Sequence, residues 1–238
     1  MKQVIYEDYS ELSIKTAEQI ADIINSKPDA LLCFPAGETS VGTFTHLIKL
    51  NKSGRISFKK CRIVGLDEWA WLGQMKIENC FHFLKKHLFD HIDYSESNMC
   101  FFDGENRDLE KECSKTDAFI QNFGPIDMML LGVGMNGHLG LNEPGTPFDL
   151  WSHIVNLDET TKKVGKKYFS GDVNLSKGIS LGLKYVIDAK TVIVQISGLK
   201  KTEVTRRLIA SEITPDFPAS VIKMHRNSFL LLDKEAAG

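Results

Sequence analysis

The feature that most restricts the fold of this chain is an alternation. Short apolar runs are each followed by a longer amphipathic stretch. Ala30–Phe34, Ile126–Leu131 and Thr191–Ile196 are apolar at most positions, on both alternating faces, as a strand covered on both sides is. Glu11–Asn25, Asp108–Phe123 and Lys201–Ala210 carry apolar residues at helical spacing. Doubly covered strands separated by helices specify an α/β fold: a mostly parallel central sheet with helices on both faces, in a Rossmann-like arrangement. Further strands are expected at Val4–Tyr6, Arg62–Leu66, Asn98–Phe102, near His153–Leu157 and at Ile179–Leu181, with Phe229–Leu232 closing the sheet. Ser10 is the expected cap of the first helix. Further helices are expected from Ser40, over Glu78–Phe89 and around Thr160–Phe169.

Composition narrows the class of function. With 29 Lys and Arg against 31 Asp and Glu the net charge is −2, without the basic footprint of a dedicated nucleic-acid binder. Hydrophobic residues at 42% and charged residues at 25% fit a folded chain. There is no repeat, low-complexity tract or linker, so one domain over residues 1–238 is expected. The five cysteines include no Cys-x-x-Cys pair and read as buried free thiols of a reducing compartment. The start turns acidic at Glu7-Asp8 before any signal-like apolar core, and no apolar run approaches a membrane span. A cytoplasmic protein without nucleic-acid or membrane partners is expected.

Ligands of such sheets bind beyond the carboxyl ends of the strands, and three loops there carry chemistry. After Leu131 comes Gly132-Val133-Gly134-Met135-Asn136-Gly137. It matches G-x-G-x-x-G, but the continuation His138-Leu139-Gly140-Leu141-Asn142-Glu143-Pro144-Gly145 breaks a helix where a dinucleotide site must start one. The loop is either structural or lets backbone approach a small substrate, presenting His138 and Glu143 at its edge. An imidazole moves protons near neutral pH, and Glu143 could fold back to orient it and favour its protonated form. A loop histidine bonded to backbone is the alternative. No second His or Cys stands nearby at metal-ligand spacing.

After Leu66 comes Asp67-Glu68. Neighbours on extended backbone point to opposite sides, so Asp67 is expected to enter a pocket and Glu68 to bond locally. A solvated edge or a helix cap is the alternative. After Phe34, Gly37-Glu38-Thr39-Ser40 joins a strand to a helix. Its free N–H groups and hydroxyls suit a phosphate or another anion, and plain capping by Thr39 or Ser40 is the alternative. Lys200-Lys201, after Gly198, either supplies a cation to that anion or begins a solvated helix.

Together, Pro35-Ala36-Gly37-Glu38-Thr39, Leu66-Asp67-Glu68-Trp69, Gly132-x-Gly-x-Asn-Gly-His138, Asn142-Glu143-Pro144 and Gly198-x-x-Lys201 resemble the glucosamine-6-phosphate deaminase/isomerase family over nearly the whole chain. Asn136–Gly145 and Gly178-Ile-x-Leu-Gly-Leu183 look most like its galactosamine-6-phosphate branch. The resemblance implies that a 2-amino-2-deoxyhexose 6-phosphate becomes a ketohexose 6-phosphate plus ammonia, without metal or organic cofactor. In the galactosamine branch the product is tagatose 6-phosphate. It also implies roles. His138 would open the sugar ring, Glu143 would support it, and Asp67 would carry the proton from C2 to C1. Gly37, Glu38, Thr39 and Lys201 would hold the phosphate, with Lys167 standing where the family places an arginine. Asn136 departs from the aspartate usual in glucosamine-6-phosphate deaminases; it adds no charge but can hydrogen-bond substrate or His138. The basic positions that bind an activator in hexameric members fall at His153 and Val155, so no activation by N-acetylglucosamine 6-phosphate is expected. The wider family includes monomers and hexamers, leaving a homo-oligomer possible. A 6-phosphogluconolactonase and a non-catalytic sugar-phosphate sensor are the rival readings.

Overall fold

A computed structural model describes residues 1–73, 78–171 and 173–238. In chain order its strands and helices are β1 (Lys2–Tyr6), α1 (Tyr9–Ser26), β2 (Leu31–Phe34), α2 (Val41–Lys52), β3 (Arg62–Gly65), β4 (Asp67–Trp69), α3 (Cys80–His87), β5 (Met99–Cys100), α4 (Leu109–Phe123), β6 (Met128–Leu131), β7 (His153–Asn156), α5 (Glu159–Gly165), β8 (Lys177–Ser180), α6 (Leu183–Asp188), β9 (Val192–Ile196), α7 (Thr202–Ala210), β10 (Ser228–Asp233) and α8 (Lys234–Ala237).

Seven strands form a wholly parallel sheet in the order β1-β10-β9-β6-β2-β3-β5. The period of two along each strand sends successive side chains to opposite faces. Leu31 and Cys33 of β2, Met129 and Leu131 of β6, and Val192 and Val194 of β9 pack on one face with Leu109, Val186, Val204 and Leu208 of α4, α6 and α7. Leu32, Phe34, Met128, Leu130 and Ile193 pack on the other with Leu12, Ile20, Phe44, Leu47 and Leu84 of α1, α2 and α3. Each fully buried Leu, Ile or Phe contributes about 1.5–3 kcal/mol of transfer free energy, so burial is the main force holding both helical layers.

From the β2–β6 pair, chain order grows outward through β3 and β5 on one side and through β9 and β10 on the other, where β1 then forms the edge. The connections leaving these two strands therefore part, and a crevice opens at their carboxyl ends. All three chemically promising loops begin at this end of the sheet.

Several sequence expectations are corrected. β10 lies inside the sheet and β1 forms the edge. α1 is capped by Asp8, whose Oδ1 accepts the Glu11 N–H at 2.8 Å; Ser10 already lies within the first turn. The segments expected as extra strands of the main sheet near His153 and Ile179 are β7 and β8. With β4 they form a separate antiparallel sheet in the order β4-β8-β7. The chain changes sheets at Leu66, whose carbonyl accepts the Leu181 N–H at 2.8 Å. The five cysteines are buried and unpaired, as expected. Among the described residues no helix is long and apolar enough to cross a membrane, and no cluster of three His, Cys, Asp or Glu is arranged to hold a metal ion.

Candidate active site

The loop after β6 turns tightly on itself. Gly137 N–H donates to the Gly134 carbonyl and Gly134 N–H to the His138 carbonyl, both at 3.0 Å. Gly137 sits at φ +91°, where a side chain would be strained. A Cβ on Gly134 would come 2.3 Å from the His138 ring, so this glycine makes room for the imidazole. No helix begins here, and the glycines serve the seating of His138.

The His138 side chain is one-fifth exposed. Its Nδ1 lies 3.1 Å from Thr161 Oγ1 and 3.6 Å from Glu143 Oε2, within ion-pair distance. Its Nε2 has no hydrogen-bond partner among the described residues. Glu143 is held by the turn before it, where Asn142 Nδ2 donates to the carbonyls of Leu139 at 2.8 Å and Leu181 at 2.9 Å. Glu143 Oε1 accepts the Asp158 N–H at 3.2 Å, and Oε2 accepts from Asn136 Nδ2 at 2.9 Å. Burial alone would raise the Glu143 pKa. The partners His138, Thr161 and Asn136 outweigh it and hold this carboxyl below its ordinary value. An ionised Glu143 draws the Nδ1 proton toward itself and leaves Nε2 free to accept one. Asn136 completes the frame, its Oδ1 accepting the His138 backbone N–H at 3.2 Å.

Asp67 begins β4 and is half-buried. A Cβ on Gly140 would stand 3.4 Å from its Oδ2, so the carboxylate lies against the loop two residues beyond His138. Burial pushes Asp67 up to about 6, with His138 and Cys80 pulling the other way. A carboxylate so tuned is ionised at neutral pH yet basic enough to take a proton from carbon. Glu68 points away, as alternation requires. It is 1% exposed and accepts the N–H groups of Trp69, Cys80 and Phe81 at 2.8, 3.0 and 3.1 Å, tying β4 to the start of α3. Burial drives its carboxyl up to about 7 against these three bonds.

The third group lies at the start of α2. Glu38–Ser40 make one 3-10 turn leading into the helix, and no side chain caps it. Ser40 Oγ instead donates to the Gly37 carbonyl at 2.7 Å. The N–H groups of Gly37, Glu38 and Thr39 have no partner among the described residues. A Cβ on Gly37, Gly132 or Gly198 would meet nothing within 4 Å, so the ends of β2, β6 and β9 border open space. Lys201 reaches the glycine loop, its Nζ donating to the Val133 carbonyl. Burial, with Lys167 adding to it, brings the Lys201 amine down to about 8. Lys200 is exposed. Lys167 Nζ meets Glu38 Oε2 at 3.2 Å.

The candidate site residues fall into three groups at the carboxyl ends of the strands, with Lys200 left outside them. Asn136, His138 and Glu143 form the first, Asp67 the second, and Gly37, Glu38, Thr39, Lys167 and Lys201 the third. Sequence reasoning missed Thr161 and Asp158 on the His138–Glu143 pair. It also missed Asp233, whose carboxylate accepts the Gly198 N–H at 3.1 Å and so fixes the turn that carries Lys201. Asp158 was visible only as a helix cap, which it also is, accepting the Thr160 N–H at 2.8 Å. Grooves of about 170 Å³ between α1 and α2 and about 270 Å³ beside α5 include none of these residues.

Known proteins resemble this chain over nearly its whole length. A glucosamine-6-phosphate deaminase of Bacillus pumilus (strain SAFR-032) is 41% identical over 237 residues, covering 99% of this chain and 98% of that protein. Glucosamine-6-phosphate deaminase 1 of Bacillus subtilis (strain 168) is 38% identical, covering 100% and 98%. A solved structure described as a monomeric glucosamine-6-phosphate deaminase superposes with a TM-score of 0.95 at 36% identity, covering 100% of this chain and 99% of that one. The pattern of the family described as glucosamine-6-phosphate isomerases/6-phosphogluconolactonase matches residues 7–231. The chain belongs to that family.

Proposed function

We propose that this protein is a deaminating aldose–ketose isomerase, one domain over residues 1–238, whose substrate is glucosamine 6-phosphate and whose products are fructose 6-phosphate and ammonia. What supports the reading is three groups at the carboxyl ends of the strands: a carboxylate raised to about 6, an imidazole 3.6 Å from a second carboxylate, and lysines beside the N–H groups that open α2.

Each step uses groups at this crevice. The phosphate binds the N–H groups at the start of α2 together with Lys201 and Lys167, which fixes the sugar carbons relative to Asp67. His138 Nε2 takes the anomeric hydroxyl proton and returns it to the ring oxygen, opening the ring to the aldehyde. As Asp67 removes the C2 proton, the substrate's ammonium group passes a proton to the aldehyde oxygen, giving an enolamine, and Asp67 then delivers its proton to C1. The resulting C2 iminium adds water and expels ammonia, leaving the ketone. One sugar and one water give one ketose and one ammonia.

The sequence pointed instead to galactosamine 6-phosphate, in part through Asn136. Asn136 bridges Glu143 and the His138 backbone, so the contacts it makes bear on the acid–base pair. The relatives' own names support the glucosamine reading. The related solved structure is described as monomeric, which gives a homo-oligomer no support here. We also propose no activation by N-acetylglucosamine 6-phosphate. Burial lowers the pKa of the His153 imidazole, which leaves it uncharged at neutral pH.

The test is direct. Purified protein is given glucosamine 6-phosphate, galactosamine 6-phosphate and 6-phosphogluconolactone in turn, and ammonia and acid are measured. Ammonia is expected fastest from the glucosamine compound. A preference for the galactosamine compound restores the sequence reading, and acid from the lactone without ammonia from either sugar overturns deamination.

A further inference from the structure

The residue that heads the phosphate cradle carries a side chain of the wrong sign for it. Glu38 offers its backbone N–H at the start of α2, yet its carboxylate lies 3.2 Å from Lys167 Nζ, a pairing across 129 positions of the chain. Lys167 also lies 4.8 Å from the centre of the Tyr168 ring, and its charge reaches Lys201. Lys167 therefore belongs to the same cationic group as the buried lysine. Resting on the phosphate placement above, we propose that Glu38 is a built-in counter-ion of Lys167, which the phosphate of an incoming ligand must displace.

Three observations carry this. First, the carboxylate and a phosphate on the adjacent N–H groups compete for one ammonium, and two anions held together there would repel. Second, the Glu38 side chain is 70% exposed and Lys167 is 47% exposed, so Glu38 can leave for water without breaking any buried contact. Third, phosphate near neutral pH carries up to two charges and has more acceptor oxygens than a carboxylate, so the exchange favours the ligand. Binding is then an exchange of anions on Lys167. The carboxylate sets a threshold that a singly charged acid crosses less readily than a phosphate.

The test reads binding, not turnover, so it is independent of whether ammonia is released. Inorganic phosphate is titrated calorimetrically at pH 7.5 into the wild type, Glu38→Gln, Lys167→Ala and the double variant, in low salt and in added sodium chloride. An exposed pair of this kind corresponds to about a 1.4- to 5-fold change in an equilibrium. Glu38→Gln is accordingly expected to bind phosphate about two- to fivefold more tightly, with the gain shrinking as salt rises. In the Lys167→Ala background the same change should give little gain. Unchanged or weaker binding in Glu38→Gln overturns the proposal, because Glu38 would then be inert or would be helping to order the lysine. A full gain without Lys167 also overturns it, since Glu38 would then act by direct repulsion. Absence of phosphate binding by every variant removes the phosphate placement with it.

Discussion

Replacing Asp67 by Asn should make the protein more stable at neutral pH while removing the proposed base. Asp67 stands at about 6 in the folded chain against an ordinary 3.8, chiefly because it is buried. Folding therefore favours its protonated form. Well below pH 4 the group is protonated in both states and costs nothing; between about pH 4 and 6 only the unfolded chain ionises it, so stability falls across that window and levels off above it. At about 1.4 kcal/mol per tenfold the gap is at most about 3 kcal/mol. Asp67 is only half-buried, so solvent screening reduces this to about 1–2 kcal/mol. Relief of the adjacent Glu68, which Asp67 pushes upward, works in the same direction. For a chain of this size the gain corresponds to about 3–6 °C in Tm. Thermal or urea unfolding of wild type and variant should show Asp67→Asn ahead at pH 7.5, with the difference closing toward pH 4. A variant less stable at every pH, or ahead by a constant amount, would refute the assignment of a burial-raised carboxyl at this position.

Further outcomes follow from the same geometry. Gly134→Ala places a methyl 2.3 Å from the His138 ring and should lower turnover about 100-fold, measured as ammonia release; wild-type turnover would show that the ring can move freely. Glu68→Ala strands three backbone N–H donors and should lower unfolding stability by about 2–4 kcal/mol, read from urea midpoints. Phosphate affinity should weaken by up to about tenfold between pH 7.5 and 9.5 as Lys201, standing at about 8, loses its proton; calorimetric affinity constant over that range would place the phosphate elsewhere.

The main sheet could be read from the sequence because doubly covered strands leave a plain signature. Leu31 to Phe34 send alternate side chains into two different cores, so none of the four can be polar. The site was readable for a related reason. Its loops follow strand ends: Asp67 lies just beyond β3, Lys201 just beyond β9, and His138 and Glu143 in the one loop that leaves β6. The segments of β7 and β8 were legible as strands, but nothing within such a short run states that its partner is β4 and its own neighbour and not the main sheet. Asp8 and Ser10 are equally good caps by type, and only the reach to the Glu11 N–H separates them. Thr161 and Asp158 meet the His138 group from 23 and 22 positions away, through the docking of α5, which no local pattern encodes.

The most direct test of Asp67, His138 and Glu143 as one proton-transfer site is isomerisation of glucosamine 6-phosphate in D₂O, followed by NMR. The wild type should release ammonium and carry deuterium on C1 of the ketose in those turnovers in which the proton held by Asp67 exchanges with solvent before delivery, while Asp67→Asn should do neither yet still bind phosphate. Ammonium release with full deuteration by Asp67→Asn, or no reaction at all by the wild type, would contradict it.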